Sequence, residues 1–436
     1  MKPALSARLL QSLAPWRNAP VWQVAFSGGL DSTVLLHLLA SLANIPPLRA
    51  VYVHHGLQAV ADAWPSHCQA VCDGLGVPLQ VMRVQVLPGA SLEQAARDAR
   101  YQAFAEVLGA GEVLLTGQHR DDQAETLLFR LLRGAGVRGL AAMPACRGLA
   151  SGHLVRPLLD ASRVELQAYA QEHQLQWIED PSNADLRFSR NYLRHRVLPA
   201  ITERWPQAVT SLARTAGHLS EAQGLLDELA VLDLHAADQP SAFPWLALPS
   251  LALAPLRALS DARQRNAVRH WLNPLTRLPD SDHWASWHSL RDAKGDAQPI
   301  WRLADGELQR CGERIWWLPA SWSEFSDAPV SWPEPQNPLE LPGNGQLRII
   351  GSAPEGPLAI RYRQGGESIV VPGRGRRDLK RLLNESGLPG FVRGRLPLLY
   401  QGEQLLAVPS LAGLWTLPPG DWQLHWVPQT CDQGLS

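Results

Sequence analysis

Short apolar runs alternate with longer stretches of helical period through the first part of the chain. "VWQVAFS" (21–27) reads as a strand, and "DSTVLLHLLASLA" (31–43) follows as an amphipathic helix. The pair recurs three times. Strand "LRAVYVHH" (48–55) precedes a helix at about 61–74, and strand "VPLQVMRVQV" (77–86) precedes helix "SLEQAARDARYQAFAEVLGA" (91–110). Strand "EVLLTGQH" (112–119) precedes helix "DDQAETLLFRLLRG" (121–134). Ser91 is the expected N-cap of the third helix, Gly109 lies near its end, and Gly134 closes the fourth. Strands separated by helices of this length predict an α/β fold with a doubly wound parallel sheet.

Beyond about residue 206 the period changes. "PQAVTSLARTAGHLSEAQGLLDELAVLD" (206–233) predicts a long helix, with further helices at 254–272 and 281–293 and a hairpin at 299–319. The proline-rich stretch 326–345 reads as a linker. The rest is strand-rich and basic. The expected organisation is a catalytic α/β domain over 1–205, a mainly helical domain over 206–325, the linker, and a small α+β domain over 346–436.

Composition narrows the partners little. Across 436 residues, 40 Lys and Arg stand against 41 Asp and Glu, so a nucleic-acid surface must come from local clustering. Such a cluster is visible in 360–400. It holds Arg361, Arg363, Arg374, Arg376, Arg377, Lys380, Arg381, Arg393 and Arg395 against Glu367, Asp378 and Glu385. A second basic string carries Arg187, Arg190, Arg194, His195 and Arg196. The cysteines (Cys68, Cys72, Cys146, Cys311, Cys431) show no disulfide framework, which fits a reducing cytoplasm. No apolar stretch is long enough to span a membrane, and the opening "MKPALSARLLQSLAPW" lacks the features of a signal peptide. The tryptophans are scattered and read mostly as core.

Candidate chemistry falls at the carboxyl ends of the expected strands, where ligands bind in such sheets: Ser27–Ser32, His54–Gly56 and His119–Glu125. In "FSGGLDS" the two glycines let a tight turn aim N–H groups at one spot, and a helix N-terminus adds positive potential there, an arrangement suited to phosphate. Ser27 and Ser32 add hydroxyls. Asp31 reads either as a helix cap or as a group facing cations. In "HRDDQAET" Asp122 and Glu125 share a helix face. They could hold a metal, hold an ammonium, deprotonate an amine, or simply complement the helix dipole. His119 could be a ligand, a general acid or a polar strand-end residue.

The motif "SGGLDS" resembles the pyrophosphate loop of the N-type ATP pyrophosphatases. The ordered set "VHHGL" (53–57), "HRDDQAET" (119–126), "RPLL" (156–159), "EDPSN" (179–183) and "RNYLRHRVLP" (190–199) narrows the likeness to the tRNA(Ile)-lysidine synthetases. That resemblance implies ATP on Ser27, Gly28, Gly29, Leu30, Asp31 and Ser32, with Mg2+, and a reaction carried by Asp31, Asp122, Glu125 and Arg190. It implies tRNA contacts at Arg194 and Arg196 near the site. At the basic end it implies contacts at Arg374, Arg376, Arg377, Lys380 and Arg381. The implied substrates are isoleucine tRNA with a CAU anticodon, free L-lysine and ATP, in the cytoplasm. A homodimer is left open, and no metal ligand is assigned. A tRNA-thiolating relative on the same loop would need reactive cysteines, often paired, near the site, and the "HRDDQAET" region has none. Gln118 departs from the expected motif and is given no role.

Overall fold

The computed structural model describes residues 4–429 apart from 57–58, 87–91, 279–283, 295–296, 298, 372–373 and 410–421. Ser91, Leu57 and Cys431 therefore lie outside the described residues. The chain divides into two compact units between Leu225 and Leu226.

In the first unit, helix α1 (Leu5–Ser12) leads to strand β1 (Trp22–Ala25), helix α2 (Leu30–Ala40) and strand β2 (Leu48–His54). There follow α3 (Trp64–Leu75), β3 (Leu79–Arg83), α4 (Leu92–Val107), β4 (Val113–Leu115), α5 (Arg120–Leu131) and α6 (Val137–Leu140). Strands β5 (Cys146–Leu149) and β6 (Gly152–Val155) and helices α7 (Arg163–Glu172), α8 (Ser189–Tyr192) and α9 (Leu198–Arg204) complete it. The six strands lie in the order β3-β2-β1-β4-β6-β5. All neighbours are parallel except β5 and β6. Val24 of β1 pairs with Ala50 on one side and Leu115 on the other. The chain thus leaves β1 in one direction and returns beside it in the other, and the crevice between the ends of β1 and β4 is the switch point where such sheets bind ligands.

The apolar runs explain the layers. Trp22, Val24 and Phe26 pack under α2 and α7, while Val51, Leu114 and Leu154 pack against Phe104 of α4 and Leu108 just after it. The amphipathic pattern expected for 31–43 is not what α2 shows. Leu30, Ser32 to Leu36, Leu38 and Leu39 are all buried, because α7 covers the face that the sheet leaves open. Strand β4 stops at Leu115, four residues short of the expected end, and the chain turns through Gly117 to the start of α5.

In the second unit, a helix expected as one piece over 254–272 is two, α11 (Leu253–Arg257) and α12 (Asp261–Leu272), because Ser260 caps the second by accepting the Arg263 N–H. The helix α10 (Ala208–Ala237) precedes them and contains the division between the units. Helix α13 (Trp284–Asp292) follows. The expected hairpin is a three-stranded meander, β8 (Ile300–Leu303), β9 (Gly306–Cys311) and β10 (Arg314–Pro319), joined by β7 (Ser250–Ala252).

The stretch read as a linker carries β11 (Val330–Trp332) and β12 (Leu339–Leu341), which pair with β14 (Leu358–Arg361) and β13 (Gly345–Gly351). Its prolines sit between strands rather than replacing them, and Trp332 is buried in the core of this unit. The Asn344 side chain ties the stretch to residues farther along the chain, donating to Tyr362 Oη at 3.0 Å and accepting from Arg395 Nε at 3.0 Å. Hairpin β15 (Ser368–Val371) and β16 (Gly375–Asp378), helices α14 (Leu379–Glu385) and α15 (Gly390–Arg393), and strands β17 (Leu398–Gln401), β18 (Gln404–Ala407) and β19 (Trp422–Val427) end the described chain. Trp22, Trp287, Trp301, Trp332 and Trp426 are fully buried, as expected of core tryptophans. Among the described residues no helix is long and apolar enough to cross a membrane.

Candidate active site

The turn after β1 is fixed by sterics as well as by hydrogen bonds. Gly28 has φ +77°, and a Cβ there would stand 2.8 Å from Ile178 Cδ1 and 2.9 Å from Cys68 Sγ. Only glycine satisfies both demands. The Gly28 carbonyl accepts the Ile178 N–H at 2.8 Å, so the segment leading into "EDPSN" closes over the turn. Asn191 pins that segment in turn, donating through Nδ2 to Ser182 O at 2.8 Å and Asp185 O at 2.9 Å. Within the loop the Ser27 and Ser32 hydroxyls lie 3.0 Å apart, and Ser32 Oγ donates to Gly29 O at 3.1 Å. Gly29 is the N-cap of α2, so its helix dipole points at the same spot.

Asp31 stands in the first turn of α2, and the chain after β4 is pressed against it. A Cβ on Gly117 would lie 3.0 Å from the Asp31 carbonyl oxygen. His119, completely buried, has Nε2 3.5 Å from Asp31 Oδ2 and 3.5 Å from Asp122 Oδ2. Its Nδ1 lies 3.5 Å from Asp121 Oδ2. Burial opposes charge on the ring, but Asp121, Asp31 and Asp122 together push its pKa up to about 10. In that state both nitrogens carry protons, and the 3.2 Å approach of the Asp121 N–H to Nδ1 is a close contact rather than a hydrogen bond. His119 is a fixed cation among acids.

Asp122 and Glu125 share one face of α5, as their spacing predicts. Asp122 Oδ2 accepts the His119 N–H at 3.0 Å and caps the helix, while its Oδ1 accepts Arg194 Nη2 at 3.0 Å. Arg194 also grips Glu125 with both prongs, Nε to Oε1 at 2.6 Å and Nη2 to Oε2 at 3.0 Å. It sits on a wide π-type turn, Leu193–Val197, between α8 and α9. The two carboxyls that flank this centre are set apart electrically. Burial raises the Glu125 pKa more than Arg194 lowers it. For Asp31, burial acts in the same upward sense, but His119, Arg163 and Arg194 outweigh it and hold the carboxyl below its ordinary range.

The structure therefore brings Asp31, Asp122, Glu125 and Arg194 into one cluster beside the Ser27–Ser32 turn. Arg194, expected as a tRNA contact, has its guanidinium committed to the acids. Arg190 lies one helical turn before it on α8, half-buried, and Arg196 is exposed. Sequence reasoning missed Arg163, whose Nη1 is 3.5 Å from Asp31 Oδ2 and whose N–H donates to Asp121 Oδ2 at 2.9 Å. It also missed Gly117. The glycine at a strand end was a visible signal for close backbone approach, whereas nothing local marked Arg163.

In the second unit Arg374, Arg376, Arg377, Lys380 and Arg381 are all exposed on the β15–β16 hairpin and the start of α14. Other members of the same basic stretch are spent on the fold. Arg395 is buried over the Trp322 ring and donates to Trp322 O and Gly343 O. Arg361 pairs with Glu403, and Arg363 with Glu367. Cys68 and Cys72 are buried thiols whose pKa values burial pushes up to about 12 and about 11, so neither is a reactive thiolate.

Comparison with known proteins matches three family models in order: a PP-loop domain over residues 1–201, a TilS substrate binding domain over 251–316, and a TilS substrate C-terminal domain over 358–426. The tRNA(Ile)-lysidine synthase of Pseudomonas fluorescens is 64% identical across 99% of this chain and 98% of its own length. That of Escherichia coli O157:H7 is 42% identical across 88% and 90%. Among solved structures, the U34-tRNA thiolase NcsA of Methanococcus maripaludis aligns with 50% of this chain and 78% of its own at 17% identity and TM-score 0.41, too distant a likeness to bear on function.

Proposed function

The chain belongs to the tRNA(Ile)-lysidine synthase family, and from that premise we propose how its residues divide the work. The activity is ATP-dependent formation of lysidine on tRNA(Ile). The observation that carries the residue assignment is the gathering of Asp31, Asp122 and Glu125 around His119 and Arg194, directly beside a phosphate-shaped turn.

In the proposed sequence ATP lies with its phosphates on residues 27–32. The C2 oxygen of the wobble cytidine in the CAU anticodon attacks the α-phosphorus, and pyrophosphate leaves. The ε-amine of lysine then attacks C2, loses a proton, and AMP departs with the former C2 oxygen. An amine of ordinary pKa about 10.4 arrives as ammonium. Asp31, held ionised, attracts it, and Glu125, with its raised pKa, is the better proton acceptor. His119 and Arg194 are positioning cations that keep three acids close together. Arg190 neutralises phosphate or lysine carboxylate charge. One Asp31 carboxylate oxygen, Oδ1, is buried next to the turn without a hydrogen-bond partner among the described residues. That fits Mg2+, which Asp31 would help to hold and which would supply charge neutralisation for the phosphates. Among the described residues no three-residue cluster of His, Cys, Asp or Glu forms a metal site of its own.

The same reading assigns residues 1–205 to catalysis, 206–325 to holding the substrate tRNA, and 346–436, with its exposed cations, to tRNA binding beyond the anticodon. It places the enzyme in the cytoplasm and is compatible with a homodimer. The deciding assay is labelled-lysine incorporation into an unmodified isoleucine tRNA transcript with a CAU anticodon, beside a methionine tRNA transcript. ATP-dependent label in the first alone is expected, and Asp122→Asn should abolish it in a folded protein. Pyrophosphate release with another tRNA and no lysine uptake would move the assignment to a different adenylating enzyme.

A further inference from the structure

A second concentration of positive charge lies on the first unit, outside the clusters that sequence patterning singled out. Helix α4 and strand β5 converge on Tyr101. The guanidinium carbons of Arg97 and Arg147 lie over its ring at 4.8 and 4.9 Å from the centroid, and Arg97 Nη2 donates to the phenol oxygen at 3.3 Å. Arg156, 4% exposed, reaches the same phenol, donates through Nη1 to Pro144 O at 2.7 Å, and leaves its buried Nε without a partner among the described residues. Arg130 of α5 donates to the carbonyls of Gly139 and Ala142. Arg130 also feels the charges of both Arg97 and Arg190, which, after burial, lower its pKa.

The partners of these arginines are a phenol and backbone carbonyls. Among the described residues none of Arg97, Arg130, Arg147, Arg156 or Arg190 is ion-paired with a carboxylate. Gathering like charges without counter-charge is unfavourable in the free protein, and a polyanion would relieve it. Stacking on Tyr101 holds two guanidinium planes in place while leaving N–H edges for acceptors. Arg130 lies within electrostatic reach of both Arg97 and Arg190. Arg190 is one helical turn from Arg194, which is bonded to Asp122 and Glu125.

We propose that Arg97, Arg130 and Arg147, with the buried Arg156 adding positive charge beneath them, form a docking surface for the phosphodiester backbone of the tRNA flanking the nucleotide under modification. This rests on the lysidine-forming reading for the identity of the RNA. A small anion would need only one or two of these cations. Several of them gathered without counter-charge fit a chain of phosphates.

The test is tRNA binding by the full-length protein across a salt series. Arg147 is exposed and, among the described residues, its hydrogen bond goes to the neighbouring Gly148 carbonyl, so Arg147→Gln should fold normally. It should weaken binding several-fold and reduce the slope of log K against log salt by about 0.7–0.9, the value of one phosphate contact. Arg97→Gln/Arg147→Gln should lose about twice that slope. Arg49→Gln, an exposed arginine at the opposite end of β2, is the control and should bind as wild type. Wild-type affinity and slope in Arg147→Gln would overturn the proposal and leave the stack as scaffold; if the double variant is unstable, the single variant decides. Lysine incorporation by the wild-type protein runs in parallel. Its absence would count against the functional reading, while the slope comparison still decides the surface.

Discussion

Removing Arg194 should expose how much the pocket depends on one guanidinium. Arg194→Met deletes the bidentate pair with Glu125, which is 1% exposed, and the bond to Asp122. Deleting one partner of a buried pair leaves a desolvated charge and costs about 3–5 kcal/mol. For a unit of this size that corresponds to a fall of roughly 6–20 °C in the midpoint of its unfolding transition. The sign of the pH dependence comes from Glu125. Its folded pKa is already raised by burial, and loss of Arg194 raises it further. An acid with a raised folded pKa destabilises the fold above that pKa, and the penalty fades as pH falls toward the unfolded value of about 4.3. Calorimetry of the full chain at pH 7.5 and pH 5 should therefore show a larger deficit at pH 7.5. Adding Glu125→Gln to Arg194→Met should recover part of the loss at pH 7.5 without restoring lysine incorporation. A shift under about 2 °C, the same at both pH values, would be less than 1 kcal/mol and would refute the claim that the pair is a buried, interdependent unit.

Gly28→Ala should cost about 1–3 kcal/mol of backbone strain and clash with Ile178 and Cys68. ATP-dependent pyrophosphate release should fall at least about tenfold, and Cys68→Ala should relieve the clash but not the strain at φ +77°. His119→Gln removes a cation whose pKa stands at about 10. That stabilisation, on the order of 5 kcal/mol, is present in full below about pH 6.5 and is lost as pH rises through about 10. The stability gap between wild type and variant should thus be wider at pH 6.5 than at pH 9.5, and a gap that widens with pH would contradict the protonated assignment. The triple variant Arg374→Gln/Arg377→Gln/Lys380→Gln should lower the salt slope of tRNA binding by about 2–3, with an unchanged slope removing that patch from the interface.

The elements that position the pocket were legible because their causes are local. Apolar runs of strand length, the Gly-Gly turn and the Asp122–Glu125 spacing each state their geometry within a few residues. The errors were also local in origin. Prolines in 326–345 suggested a linker, yet Trp332 and Asn344 tie that stretch into the second unit's core. The nine cations of 360–400 suggest one continuous surface, although Arg395 is buried beneath the fold.

By itself, the sequence determined the strand–helix alternation, the phosphate turn, the acids on α5 and, through its ordered motifs, the family. Tertiary structure alone decided what each charge faces. Arg163 meets Asp31 across 132 positions, Arg194 closes on Glu125 across 69, and Arg97 shares Tyr101 with Arg147 across two separate elements. Periodicity reports which side of an element is apolar. The partner of a charge depends on which distant element packs there, and the pKa depends on that partner and on the water excluded with it.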